Sequence, residues 1–196
     1  MNNIRLAAAF LAATGVAALP AFAADGTISL TGEITGTTCS ISGGAGSAPG
    51  ASPNFAVVLN KVQASALKAK GQTAGTTPFV VRVGACPKDT TVAVLFESSS
   101  PAINPATGNL KNQAPAKPVP AGLVEVQIVD GTTQKPMDLR LALNSSSAKV
   151  PDNGEVSLPF AAQYFATGAA TPGPVSTQVL YSVTVSYTHL RAHETE

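Results

Sequence analysis

The sequence predicts an all-β sandwich, and three observations carry that expectation. Thr, Ser, Ala, Val and Gly dominate a chain of 196 residues that has no Trp and only 12% charged residues, a composition suited to strands rather than helices. Short β-type runs recur along it, separated by Gly, Pro, Asn and Asp turn signals. A single stretch, Val62–Lys70, has helical spacing, and it is short.

In chain order, Thr27–Thr35 alternates, with Ile28, Leu30 and Ile34 on one face and Gly32 between them. Thr37–Ile41 continues as a second short strand bearing Cys39, and Ser42–Pro53 reads as a Gly/Ala/Ser/Pro loop. Phe55–Leu59 is apolar and β-like. The helix expected over Val62–Lys70 places Val62, Ala66 and Leu67 on one side, with Gly71 as its stop. Phe79–Val83 leads to Cys86-Pro87, and Thr91–Phe96 follows the Lys88-Asp89 turn. Ser98–Pro120 carries five prolines and is expected to be loop apart from Asn109–Leu110. Leu123–Val129 ends at the hairpin signal Asp130-Gly131; Leu139–Leu143 follows, then the turn Asp152-Asn153-Gly154. The last two runs, Val156–Phe165 and Gln178–Val183, flank the joint Thr167–Pro174 and are expected to fold back as antiparallel neighbours.

The chain ends read differently from the middle. Arg5, the apolar run Leu6–Leu19 and Ala21-Phe22-Ala23 occur in the order of an export signal, so residues 1–23 are expected to be removed and the mature chain to start at Ala24. Val185–Thr195 resembles one reading frame of a sequencing adapter, and residues 185–196 are expected to be a non-native tail. About 160 residues remain between these ends, enough for one domain with a real core. Between Ala24 and Thr184 there are ten Lys/Arg and nine Asp/Glu with no basic run, so nothing suggests nucleic acid. In an exported chain the two cysteines, Cys39 and Cys86, suggest one disulfide. Free buried thiols and a metal pair are the alternatives, the latter without nearby His or further Cys to help.

An ordered set of segments resembles the major subunits of chaperone–usher fimbriae of the type 1 kind. These are Gly26–Cys39, Val58–Val62 with Leu67 and Gly71, Pro78–Val83 before Cys86-Pro87, and Thr107–Leu110. Val124–Asp130, Leu158–Phe160 through Tyr164, Ala166–Gly168 and Pro172-Gly173 complete the set. The resemblance implies an incomplete immunoglobulin-like sandwich, completed by a donor strand from a neighbouring subunit or a chaperone. It implies an N-terminal extension over residues 24–35, a pilin domain over 36–184, and a surface fibre used in adhesion. The implied partners are identical or related pilin subunits, a periplasmic chaperone and an outer-membrane usher. Ile28, Leu30 and Ile34 suit the donor strand by spacing, each contributing roughly 1.5–3 kcal/mol on burial. Gly32 or Gly26 suits a shallow pocket. Phe160, Tyr164, Val179, Tyr181 and Val183 are the candidates for the acceptor groove and chaperone contact.

No catalytic or cofactor set accompanies these segments. Ser65-Ala66-Leu67-Lys68 fits S-x-x-K, but the S-D-N and K-T-G partners are missing. Gly43–Gly50 lacks the Gly-Lys-Ser/Thr ending of a phosphate-binding loop. Asp152 and Glu155 flank a turn, where carboxylates are ordinarily solvated; Asp130 and Asp138 have no ligand-spaced companions, and both histidines, His189 and His193, lie in the tail. No enzyme, no cofactor and no metal are therefore expected. The competing readings are a minor or adaptor pilin and a self-contained secreted immunoglobulin-like binding module.

Overall fold

The computed structural model describes residues 39–45, 52–141 and 145–186, all within the compact unit Gly36–Glu196. The expected strand over Thr27–Thr35, the export signal and residues 187–196 lie outside the described residues. The described elements are β1 (Ser40–Ala45), β2 (Thr73–Gly84), β3 (Thr91–Phe96), β4 (Leu110–Lys111), β5 (Val124–Asp130), β6 (Lys135–Pro136), β7 (Ala148–Lys149), β8 (Val156–Ala166) and β9 (Tyr181–Ser186), with a 3-10 turn at Ala64–Ala66. All pairings are antiparallel. One sheet runs β1-β2-β8-β5-β4 with β6 on β5, and the other runs β7-β3-β9.

Alternation explains the core. In β2, Thr77, Phe79, Val81 and Val83 are buried while the residues between them are not; in β8, Leu158, Phe160 and Ala162 do the same. Val126 and Ile128 of β5 complete this inner face, and Val92, Val94 and Phe96 of β3 face it from the other sheet. Phe160 ties the layers together, stacked on Phe79 at 5.4 Å between centroids and edge-on to Phe96 at 5.3 Å. Proline cannot donate to a ladder. Pro78 and Pro159 accordingly fall just past the end of a flanking strand, since β1 stops opposite Phe79 and β5 opposite Phe160.

The disulfide joins Cys39 to Cys86 with the Cα atoms 4.7 Å apart, just beyond the last β1–β2 pair, Ser40 with Gly84. Between Gly84 and Cys86, Ala85 adopts a left-handed backbone (φ 55°), and the Cys86 amide donates to the Gly154 carbonyl.

The structure departs from the sequence expectations at five places. The final two runs are not neighbours: both edges of β8 are occupied, by β2 and β5, so the joint carries the chain across to β9, which pairs with β3. The helix over Val62–Lys70 reduces to the 3-10 turn, because Leu67 leaves helical geometry (φ −129°, ψ 48°) and is buried with Val124 and Ala166. The strand expected over Thr37–Ile41 is described as β1, Ser40–Ala45, which begins just after Cys39 and runs on through Gly43, Gly44 and Ala45. There the missing side chain of Gly43 makes room for the Phe55 ring, which a Cβ would meet at 2.1 Å. Of the strand expected over Leu139–Leu143, residues 139–141 form a turn closed by the Leu141 amide on the Asp138 carbonyl, and residues 142–143 lie outside the described residues. β9 also takes in Val185 and Ser186, which the sequence reading assigns to the tail. Among the described residues no helix is long and apolar enough to cross a membrane.

Candidate functional site

Two extended segments carry the alternation of strands without joining a sheet. In the first, Phe55, Val57 and Leu59 are half-buried and Ala56, Val58 and Asn60 are exposed. In the second, Val175, Thr177 and Val179 are half-buried while Ser176, Gln178 and Leu180 are exposed, and the segment runs directly into β9. Period-2 burial is what a paired strand shows, yet neither segment has a ladder partner among the described residues.

Between them lies an apolar groove of about 820 Å³. Its floor is the inner face of the larger sheet: Phe79 and Val81 of β2, Val126 and Ile128 of β5, Ala162 and Tyr164 of β8. The lining contains no Asp, Glu, Lys or Arg. At one end the walls meet, where the Tyr181 hydroxyl donates to the Pro53 carbonyl at 2.7 Å and the Tyr181 ring lies edge-on to Phe55 at 6.1 Å. Burial pushes the phenols of Tyr164 and Tyr181 above their usual value of 10, so the groove is uncharged across the physiological range. Gly75 (φ 70°) lets the Tyr164 ring and Val62 approach the β2 backbone; a Cβ there would meet Val62 at 2.8 Å and Tyr164 at 3.0 Å.

The first wall is fixed by its Asn60 amide, which donates to Thr77 Oγ1. The second is fixed at both ends, at Pro174–Ser176 and at Leu180. Among the described residues, no hydrogen bond is made by the backbone groups of Phe55–Leu59 or of Thr177–Val179. Among the described residues the two segments offer backbone donors and acceptors on two edges with an apolar floor below.

Of the candidate groove residues, Tyr164, Val179 and Tyr181 line the groove. Phe160 lies beneath it, in the core between Phe79 and Phe96, and Val183 pairs with Val94 inside the smaller sheet. Ile28, Leu30, Gly32 and Ile34 lie outside the described residues. The sequence reading missed the whole first wall, Phe55, Val57 and Leu59. The available signal was a short, continuous apolar run with no turn-linked partner strand. Among the described residues no group of three or more His, Cys, Asp or Glu is placed to hold a metal ion.

Among the described residues the sandwich leaves two strand-like edges unpaired beside an apolar groove, the architecture of a structural subunit. The chain belongs to the type-1 fimbrial protein (FimA) family, whose profile matches residues 59–187; it is a fimbrial subunit of the chaperone–usher class, not an enzyme. It is 37% identical over 173 residues to the major fimbrial subunit SMF-1 of Stenotrophomonas maltophilia, covering 85% of this chain and 96% of that protein. In fold it is similar to the P pilus rod subunit PapA (TM-score 0.52, 17% identity, 68% of this chain and 93% of that one). It is also similar in fold to a subunit of a chaperone–usher pilus (TM-score 0.52, 16% identity, 86% and 99%). These likenesses fit the incomplete immunoglobulin-like sandwich.

Proposed function

We propose that the groove between residues 55–59 and 175–181 accepts the N-terminal extension of a neighbouring subunit, so that the protein polymerises by donor-strand exchange. Pairs of unbonded, alternating walls above an uncharged apolar floor are the observation that carries this reading. A strand placed between them regains backbone hydrogen bonds on both edges and buries every second side chain. Ile28, Leu30 and Ile34 of residues 24–35 supply those side chains, with Gly32 or Gly26 at the shallowest point.

The rest of the assembly follows from this chemistry. An open edge of this kind aggregates unless covered, so a periplasmic chaperone fills the groove after residues 1–23 direct export, and an outer-membrane usher exchanges it for the next subunit. The fibre is a shaft of the major-subunit kind, supported by the likeness to a protein named a major subunit, and serves adhesion at the cell surface.

The experiment is thermal denaturation of a chain lacking residues 24–35 and ending at Tyr187, with and without a peptide of residues 24–35. A stable peptide complex with a large rise in Tm is expected. A peptide that leaves Tm unchanged and fails to bind would return the chain to the class of self-contained binding modules.

A further inference from the structure

Asn112 follows directly after β4, away from the groove floor, yet its side chain reaches the second groove wall. Nδ2 donates to the carbonyls of Ala121 and Pro174, both at 3.0 Å. Oδ1 accepts from the amides of Ala114 and Ser176, both at 3.0 Å. Two donors and two acceptor positions are the full capacity of a carboxamide, and here all are spent on backbone. They join the segment after β4, the segment before β5 and the start of the groove wall. The Gln113 amide adds a bond to the Ser176 carbonyl at 2.7 Å, and the Ala121 amide adds one to the Pro174 carbonyl at 3.0 Å. At the other end of the wall the Leu180 amide donates to Ser100 Oγ at 2.9 Å, and the Leu180 carbonyl accepts from the Glu97 amide at 2.9 Å. Between these two fixed ends lie Thr177–Val179, unbonded among the described residues.

We infer that Asn112 is the positioning residue for strand uptake: with Ser100 at the far end, it holds the 174–180 wall extended so that the groove stands preformed. The inference rests on the acceptor reading above. An apolar slot flanked by an unpaired chain is driven to close, because collapse removes apolar surface from water. A wall anchored at both ends resists that collapse, and an incoming strand then meets a ready edge instead of having to order one. Asn112 touches neither the groove floor nor the incoming strand, so its effect falls on the rate and affinity of uptake.

The test uses the full chain and a fluorescent peptide of residues 24–35, with uptake followed by anisotropy. Asn112→Ala is expected to slow uptake roughly tenfold or more, and Ser100→Ala, which removes a single bond, a few-fold. Asp130→Asn, in the β5–β6 turn outside the groove lining, serves as a control that destabilises the fold and leaves uptake unchanged. If Asn112→Ala does not fold, Ser100→Ala and Asn112→Asp decide. The latter keeps the size and both acceptor contacts but turns a carboxylate oxygen toward two carbonyls, and it is expected to slow uptake as the alanine does. Wild-type uptake with unchanged rates in the Asn112 and Ser100 variants overturns the inference and leaves the acceptor reading standing. An equal slowing in Asp130→Asn also overturns it, by making the effect one of general stability. No uptake by the wild type overturns the acceptor reading and the inference with it.

Discussion

Removing the disulfide is expected to take away a large part of this domain's stability. The bond closes a segment of 47 residues, and the loop-closure entropy it removes from the unfolded chain is worth roughly 4 kcal/mol. Its place in the fold makes that loss hard to absorb. β1 is an edge strand held along one side, by β2, over six residue pairs, and the bond fixes the end where Cys39 enters. Cys86 is itself buried, with only 6% of its surface exposed, so a serine there also buries a hydroxyl. The double substitution Cys39→Ser/Cys86→Ser is compared with the oxidised and reduced wild type by urea unfolding. With slopes of about 1–3 kcal/mol per molar urea, a loss of about 4 kcal/mol moves the midpoint down by about 2 M. The reduced wild type should behave like the double variant, and reductant should leave the double variant unchanged. A loss below about 1 kcal/mol would show instead that β1 is held by its packing alone.

Three further outcomes follow from the contacts described. Phe160→Ala is expected to cost about 3–5 kcal/mol in the same unfolding assay, because it empties the centre of the aromatic cluster joining the sheets; a cost under 1 kcal/mol would contradict that placement. Tyr181→Phe removes the bond to the Pro53 carbonyl across the groove's end but keeps the ring against Phe55, for a loss of about 1 kcal/mol; no loss would show that the bond does not hold in solution. Burial raises the Asp130 carboxyl, but amides of Ser146, Thr133 and Thr132 donate to it and hold it below its usual 3.8. The unfolded chain therefore binds the proton first, so this stabilisation is complete above pH 3.8 and fades as pH falls through the folded value. Asp130→Asn should flatten that acid limb of the stability profile, and an unchanged limb would assign it to other carboxylates.

Much of the larger sheet was legible from alternation. Burial alternates along β2 and through the first half of β8, β5 is buried on both faces, and the Asp130-Gly131 turn leads into β6 as the hairpin signal requires. Pairing was not legible, because alternation fixes which face of a strand is buried and leaves its neighbour open. The joint Thr167–Pro174 reads as a hairpin connection by its Gly and Pro content. In the fold it is laced instead to residues 121–123, through Thr167 to Leu123, Thr171 to Gly122 and Ala121 to Pro174. The segment Thr107–Leu110, which contributed to the family resemblance without any stated role, closes over the buried Glu125. Its carboxylate accepts from Thr107 Oγ1 at 2.7 Å and from the Asn109 and Asn104 side-chain amides. Such a network joins residues whose spacing in sequence carries no periodic signal. The first groove wall was missed for the opposite reason: Phe55–Leu59 has a strand's alternation without the partner by which a strand is recognised.

In the proposed function, two strand edges stand open and are closed by residues 24–35 of another copy. Hydrogen exchange at the amides of residues 56–59 and 177–179 tests it most directly, in a chain lacking residues 24–35, before and after a peptide of that segment is added. Fast exchange is expected in the chain without peptide and, once the peptide binds, protection of alternate amides on both walls by roughly 100-fold or more. Amides already protected without the peptide, or a bound peptide that leaves both walls exchanging freely, would contradict it.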